Sequence, residues 1–194
     1  MNSNGRFLGS IHGESRSNVI LRKEQYRISD DETKSLEYAQ HFIISKLYNS
    51  KWVLERACRD HALQVDVDSL KISCGEIKKY LLGVKETTNL AELRGIEGKS
   101  AAQYFGEFDQ LIPQNKTDFS FTTRNRRPPL DPVNILLSFT YSLLTSECRS
   151  ALEAVGLDAY VGFFHQNRSG SASLALDLIE ELRSVVADRF VLSN

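Results

Sequence analysis

Glu97 stands where a leucine belongs. Leu90, Leu93, Glu97, Ala101, Tyr104, Phe108 and Leu111 follow one another in steps of 3, 4, 4, 3, 4 and 3, the apolar seam of a single helix, with a carboxylate in its third place. Desolvating an unpaired carboxylate there would cost on the order of several kcal/mol, so the position calls for a cation, a hydrogen-bond network or an open cleft. Gly95 and Gly98 flank it, and a glycine inside a helix costs about 1 kcal/mol relative to alanine. They point either to close approach by another backbone or a ligand, or to a helix break that exposes Glu97. His165 ends the largely apolar run Val161-Gly162-Phe163-Phe164 and precedes a polar loop. Asp177, Glu180 and Glu181 share one edge of a later helix, because steps of three and four return to the same face. Taken singly, a loop histidine is ordinarily a solvated or satisfied side chain. The acids are ordinarily a solvated face on which Arg183 pairs with Glu180. Taken together, one histidine and several carboxylates suit a hard divalent cation, Mg²⁺ or Mn²⁺. Cys58, Cys74 and Cys148 lie at no zinc-ligand spacing. Arg124, Arg126 and Arg127, with Lys116 upstream and Phe119 and Phe121 interleaved, form a local basic segment able to meet phosphates or simply to be solvated.

Several elements must position these groups. Arg6–Ile11 and Asn18–Arg22 are short runs rich in branched residues around a polar turn, and are expected as β-strands. Ser29-Asp30-Asp31-Glu32 has the form of a capping box and should open a long helix to about Ala62, with Leu36, Ala39, Phe42, Ile43, Leu47, Val53, Leu54 and Ala57 on its apolar side. Further helices are expected over about Asp68–Val84, from the Asn89-Leu90-Ala91-Glu92 box to about Ile112, over Val133–Val155 behind Asp131-Pro132 and ending at Gly156, and over about Ser173–Phe190. On the last of these, Leu174, Ala175, Leu178, Leu182, Val185 and Val186 make the apolar stripe. The fold class is mainly α with a small β lead-in, divided at residues 1–28 and 29–194.

The 194 residues carry a formal charge of −1, with 41% hydrophobic and 25% charged residues, which places the chain among globular proteins and away from disordered or low-complexity ones. Three widely spaced cysteines fit a reducing compartment rather than a disulfide framework. The expected setting is soluble and cytoplasmic, with no membrane. Both ends read as cut: the β lead-in is too small to stand alone, and an apolar helix runs straight to the last residues.

The segments Leu93-Arg94-Gly95-Ile96-Glu97-Gly98, Arg127 to Phe139, Glu153 to His165 and Ser173 to Arg183 together closely resemble the CRISPR-associated endonuclease that integrates new spacers into the repeat array. The resemblance implies an N-terminal β domain, of which 1–28 would be the remnant, ahead of a helical catalytic domain that 29–194 would carry incompletely. It implies that Glu97, His165 and Glu180 bind a divalent metal and that Asp177 supports the site. Glu180 is preferred to Glu181 because the family spaces its acids three apart. Further implications are metal-dependent DNA endonuclease and integrase activity in antiviral defence. The implied partners are double-stranded DNA (spacer precursor and CRISPR repeat), a homodimeric mate and the small companion adaptation protein. Arg124, Arg126, Arg127 and Arg168 are the candidate DNA contacts. Two alternatives stand beside this reading: a non-catalytic helical interaction module, a truncated fragment without turnover, and a metal phosphohydrolase unrelated to DNA, which would lack a basic surface beside the site.

Overall fold

The computed structural model describes residues 18–112, 116 and 118–193. Seven α-helices occur among them: α1 (Val19–Ser29), α2 (Glu32–Asp60), α3 (Val67–Gly83), α4 (Leu90–Gly106), α5 (Pro132–Ala154), α6 (Ser173–Leu182) and α7 (Arg189–Leu192). Short 3₁₀ turns follow α3 and α4, and a π-helical stretch, Arg183–Asp188, joins α6 to α7. The mainly α class stands.

α2 is the axis of the fold and packs against α1, α3, α4 and α6. Its buried positions are Leu36, Ala39, Ile43, Leu47, Val53, Leu54 and Ala57, and with them the polar Ser35, Lys46 and Ser50. Ile43, Leu47 and Leu54 are fully buried, each contributing roughly 1.5–3 kcal/mol of hydrophobic stabilisation. Side-chain oxygens fix the helix starts. Asp31 accepts from Thr33 and Lys34 N–H at 3.0 and 3.1 Å, Asn89 from Glu92 N–H at 2.9 Å and Asp131 from Asn134 N–H at 2.8 Å. α5 ends in a Schellman turn: Leu157 N–H reaches Leu152 O at 3.0 Å and Gly156 N–H reaches Glu153 O at 3.1 Å. Gly156 takes the left-handed conformation this requires, φ +86°.

Two expectations at the start of the chain change. The strand expected over Arg6–Ile11 lies outside the described residues. The strand expected over Asn18–Arg22 is instead the first turn of α1, capped by the Asn18 side chain on Leu21 N–H at 3.1 Å. The branched Val19 and Ile20 that suggested a strand are exposed; what anchors the segment is polar. Gln25, 3% exposed, donates to Asp158 O and Val161 O at 2.7 and 2.8 Å and accepts from Asp158 N–H at 2.9 Å. Tertiary bonding thus overrides a weak local preference. Nor does Ser29 cap α2. It ends α1, and its hydroxyl donates to Gly162 O at 3.2 Å. α1 therefore clasps the loop between α5 and α6 rather than completing a sheet.

Replacing Gln25 by alanine leaves two part-buried backbone groups, Val161 O and Asp158 N–H, without their partner, while Asp158 O keeps Val161 N–H at 3.3 Å; at about 1 kcal/mol for each the expected loss is about 2 kcal/mol in urea denaturation. A loss below about 0.5 kcal/mol would show that α1 does not hold this loop.

Candidate metal centre

Three helices bring charge to one buried point. Lys46 of α2 forms an ion pair with Glu97 of α4 and lies 2.6 Å from Glu180 Oε2 of α6. Arg183 Nη1 lies 2.9 Å from the other oxygen, Glu180 Oε1. Glu180 is 2% exposed. Burial alone would raise its pKa, but Lys46 and Arg183, with a smaller pull from His165, outweigh that and hold the carboxyl at about 2.

His165 reaches the cluster from the α5–α6 loop, with Nε2 3.8 Å from Glu180 Oε1. Its other ring nitrogen, Nδ1, lies 2.7 Å from Asp177 Oδ1. The fully buried Asp177 also accepts backbone N–H from Phe163, Phe164 and His165 at 2.6, 3.0 and 2.9 Å. A carboxylate that gathers donors in this way holds the Nδ1–H and turns Nε2 toward Glu180. Arg94 adds a brace from α4, donating to Phe164 O at 2.8 Å.

The donor set, one imidazole nitrogen and two carboxylates, has the chemistry for a divalent cation. Glu180 Oε2 is buried and lies 2.6 Å from the Lys46 ammonium. Yet among the described residues no three His, Cys, Asp or Glu side chains close on a common point as metal ligands. Lys46 sits between Glu97 and Glu180 instead.

The structure brings Glu97, His165, Glu180 and Asp177 together, and departs from the sequence reading in four places. First, α4 runs unbroken through Gly95 and Gly98, and a Cβ at either would meet nothing within 4 Å. The close approach is at Gly162, where a Cβ would lie 2.7 Å from both Asp177 Oδ2 and the Ser173 carbonyl carbon. Second, α6 does not turn its polar edge to solvent. Ser173, Asp177, Glu180 and Ser184 are buried; the wider π turn then changes the phase of the last segment, where Asp188 is buried and Val186 exposed. Third, Lys46 was not foreseen, although it interrupts the α2 seam just as Glu97 interrupts that of α4. Fourth, the arginines divide. Arg124 is tied down, donating to Asn134 Oδ1 at 2.6 Å and Ser138 Oγ at 3.2 Å. Arg126 and Arg127 are exposed. Arg126 lines a groove that also holds Lys46, Glu97, Arg124 and Arg183, so a basic surface does adjoin the site. Arg168, paired with Gln166, is not among the residues lining that groove.

A family model described as CRISPR associated protein Cas1 matches residues 1–194. The chain belongs to the Cas1 family. Among curated Cas1 endonucleases it is 44% identical over 193 residues to one from Chlorobaculum tepidum, covering 100% of this chain and 56% of that protein. It is 47% identical over 196 residues to one from Rhodospirillum rubrum, covering 97% and 55%. Among solved structures it resembles a casposase bound to integration product, with TM-score 0.81, 31% identity and coverage of 100% of this chain and 52% of the other. It also resembles the Cas1 protein of Thermotoga maritima, with TM-score 0.78, 27% identity and coverage of 97% and 56%. The chain spans about half the length of the curated relatives it matches. No helix among the described residues is long and apolar enough to cross a membrane.

Behind the cluster, Tyr141 donates a short hydrogen bond to Asp188. Burial pushes the Asp188 carboxyl up to about 6, against the opposing pull of the Tyr141 and Tyr104 hydroxyls and of Arg183 and Lys46. Since the folded pKa lies above the unfolded value near 4, the folded state binds more protons between these limits and stability falls as pH rises from about 4 to about 6. Asp188→Asn should flatten that decline in a series of thermal melts. An unchanged slope would show that Asp188 ionises normally in the fold.

Proposed function

We propose that this chain carries the catalytic centre of a metal-dependent DNA endonuclease and integrase that inserts new spacers into a CRISPR array. Mg²⁺ or Mn²⁺ would be held by Glu97, His165 and Glu180. The observation that carries the reading is the meeting of Glu97 of α4 and Glu180 of α6 on the one Lys46 ammonium, with His165 of the α5–α6 loop 3.8 Å from Glu180 and held at Nδ1 by Asp177. A divalent cation bound there supplies Lewis-acid polarisation of the scissile phosphate and neutralises charge on its oxygens.

The chain's own residues supply the rest. Asp177 holds the His165 ring with Nε2 free. Lys46 and Arg183 keep Glu180 ionised. Arg126 and Arg127, exposed beside the groove, would meet the phosphates of double-stranded DNA, both spacer precursor and repeat. In integration the 3′-hydroxyl of the incoming DNA attacks the phosphorus and the repeat strand's 3′-oxygen leaves; in nicking, water is the nucleophile. Relatives solved as Cas6-RT-Cas1–Cas2 complexes and as a casposase bound to integration product support DNA and a Cas2-like companion as partners. A homodimeric assembly and a cytoplasmic setting complete the proposal.

The competing reading, a helical interaction module without turnover, draws on the cluster's internal charge pairing, with Lys46 between Glu97 and Glu180 and Arg183 on Glu180. One experiment separates the two. In the full-length protein, Mn²⁺-dependent cleavage of duplex DNA should fall roughly a thousand-fold in Glu97→Ala, as expected for loss of several kcal/mol of transition-state stabilisation. Wild type with no Mn²⁺-dependent cleavage would favour the module, and Glu97→Ala with full cleavage in a nuclease-free preparation would overturn the assignment of Glu97.

A further inference from the structure

Lysine is almost never fully buried unless paired, and Lys46 is 7% exposed in the middle of the central helix. Its ammonium does not sit at the edge of the cluster. It lies between the Glu97 carboxylate on one side and Glu180 Oε2 on the other, joining α4 to α6 through α2. Glu180 Oε1 is left to Arg183 at 2.9 Å and faces His165 Nε2 at 3.8 Å. The ammonium and a divalent cation would thus claim the same two carboxylates. Two positive ions within contact of one oxygen pair repel strongly in a site this dry, so they bind in alternation.

We infer that Lys46 is a tethered counter-cation that occupies the Glu97–Glu180 gap until a divalent ion displaces it, and that metal loading is therefore an exchange of one cation for another. This rests on the metal reading above. The geometry supplies both halves of the exchange. Before loading, the ammonium keeps two carboxylates from facing each other unscreened, so the donors are gathered without metal. On loading, the flexible four-carbon stem has somewhere to go: Lys46 itself lines an open groove of about 380 Å³, where Thr122 and Thr123 stand beside Arg124, Arg126 and Arg183. An arginine in its place, with a planar fork and two-oxygen reach, would be a far poorer leaving group.

The test reads the amine and the metal separately in the full-length protein. Lys46 modification by an acylating reagent, followed by mass spectrometry in EDTA and in Mn²⁺, should rise at least five-fold with Mn²⁺, while the exposed Lys79 reports an unchanged baseline. In a Mn²⁺ titration followed by electron paramagnetic resonance, Lys46→Gln should bind at least ten-fold tighter than wild type, and Lys46→Arg no tighter. The inference is overturned if Mn²⁺ binds wild type while Lys46 labelling stays at its EDTA level, or if Lys46→Gln binds with wild-type or weaker affinity. If Mn²⁺ binds neither wild type nor variant, the metal reading fails and this inference with it. Should Lys46→Gln fail to fold, the labelling of wild type decides.

Discussion

An ionised carboxylate with almost no contact with water is the constraint around which this helical domain is built. Isolated, the buried charge of Glu180 would cost several kcal/mol or would simply take up a proton. It does neither, because Lys46 and Arg183 approach its two oxygens from different elements and His165 adds to the favourable field. The requirement spreads outward. To bring an ammonium to Glu180, α2 must bury a lysine in its apolar seam. To balance that lysine, α4 must offer Glu97 where a leucine would pack better. Holding His165 near the pair then demands Asp177, and Asp177 leaves no room for a side chain at Gly162.

The α5–α6 loop shows how far the chain goes to keep such an arrangement rigid. Asp177 draws three consecutive backbone N–H groups onto one carboxylate, and Gln25 ties down the beginning of the same loop from α1. A histidine on a segment so thoroughly hydrogen-bonded is positioned as if it lay on regular structure, which is what a preorganised site requires.

Parts of this were legible from residue order. Glu97 was visible because a carboxylate in an apolar seam has to be compensated, and the same reasoning applied to Lys46 would have found its partner. The α6 acids were not legible in that way: their spacing shows a shared face but not which way it points, and the polar face turned inward against α2. The glycines misled for a related reason. Gly95 and Gly98 stood beside an interesting residue, yet the close approach is at Gly162, fifteen residues from the acid it touches. Val19 and Ile20 suggested a strand through branching, while the segment's fate was decided by Gln25, whose bonds lie more than a hundred residues away in sequence. Pairwise tertiary contacts of that kind leave no periodic trace. The formal charge of −1 was equally silent, since Arg126 and Arg127 gather on one side of the cluster while acids elsewhere cancel them in the sum.

The polar side chains that α2 sends toward α6 and the π stretch after it form a ladder: Lys46 to Glu180, Asn49 to Glu181 O at 2.7 Å and Ser50 to Ser184 at 2.7 Å. Apolar helix faces tolerate sliding, since one leucine can replace another in a groove at little cost. This pair has no such freedom. A displacement of one turn, about 5.4 Å, would in one direction set Lys46 against Ser184, and in the other leave Glu180 opposite Ser50 with its charge uncovered. The ladder is therefore a vernier with a single mark, and any motion that opens the cleft has to come from side chains or from the arginine-bearing segment, not from these helices shifting past each other.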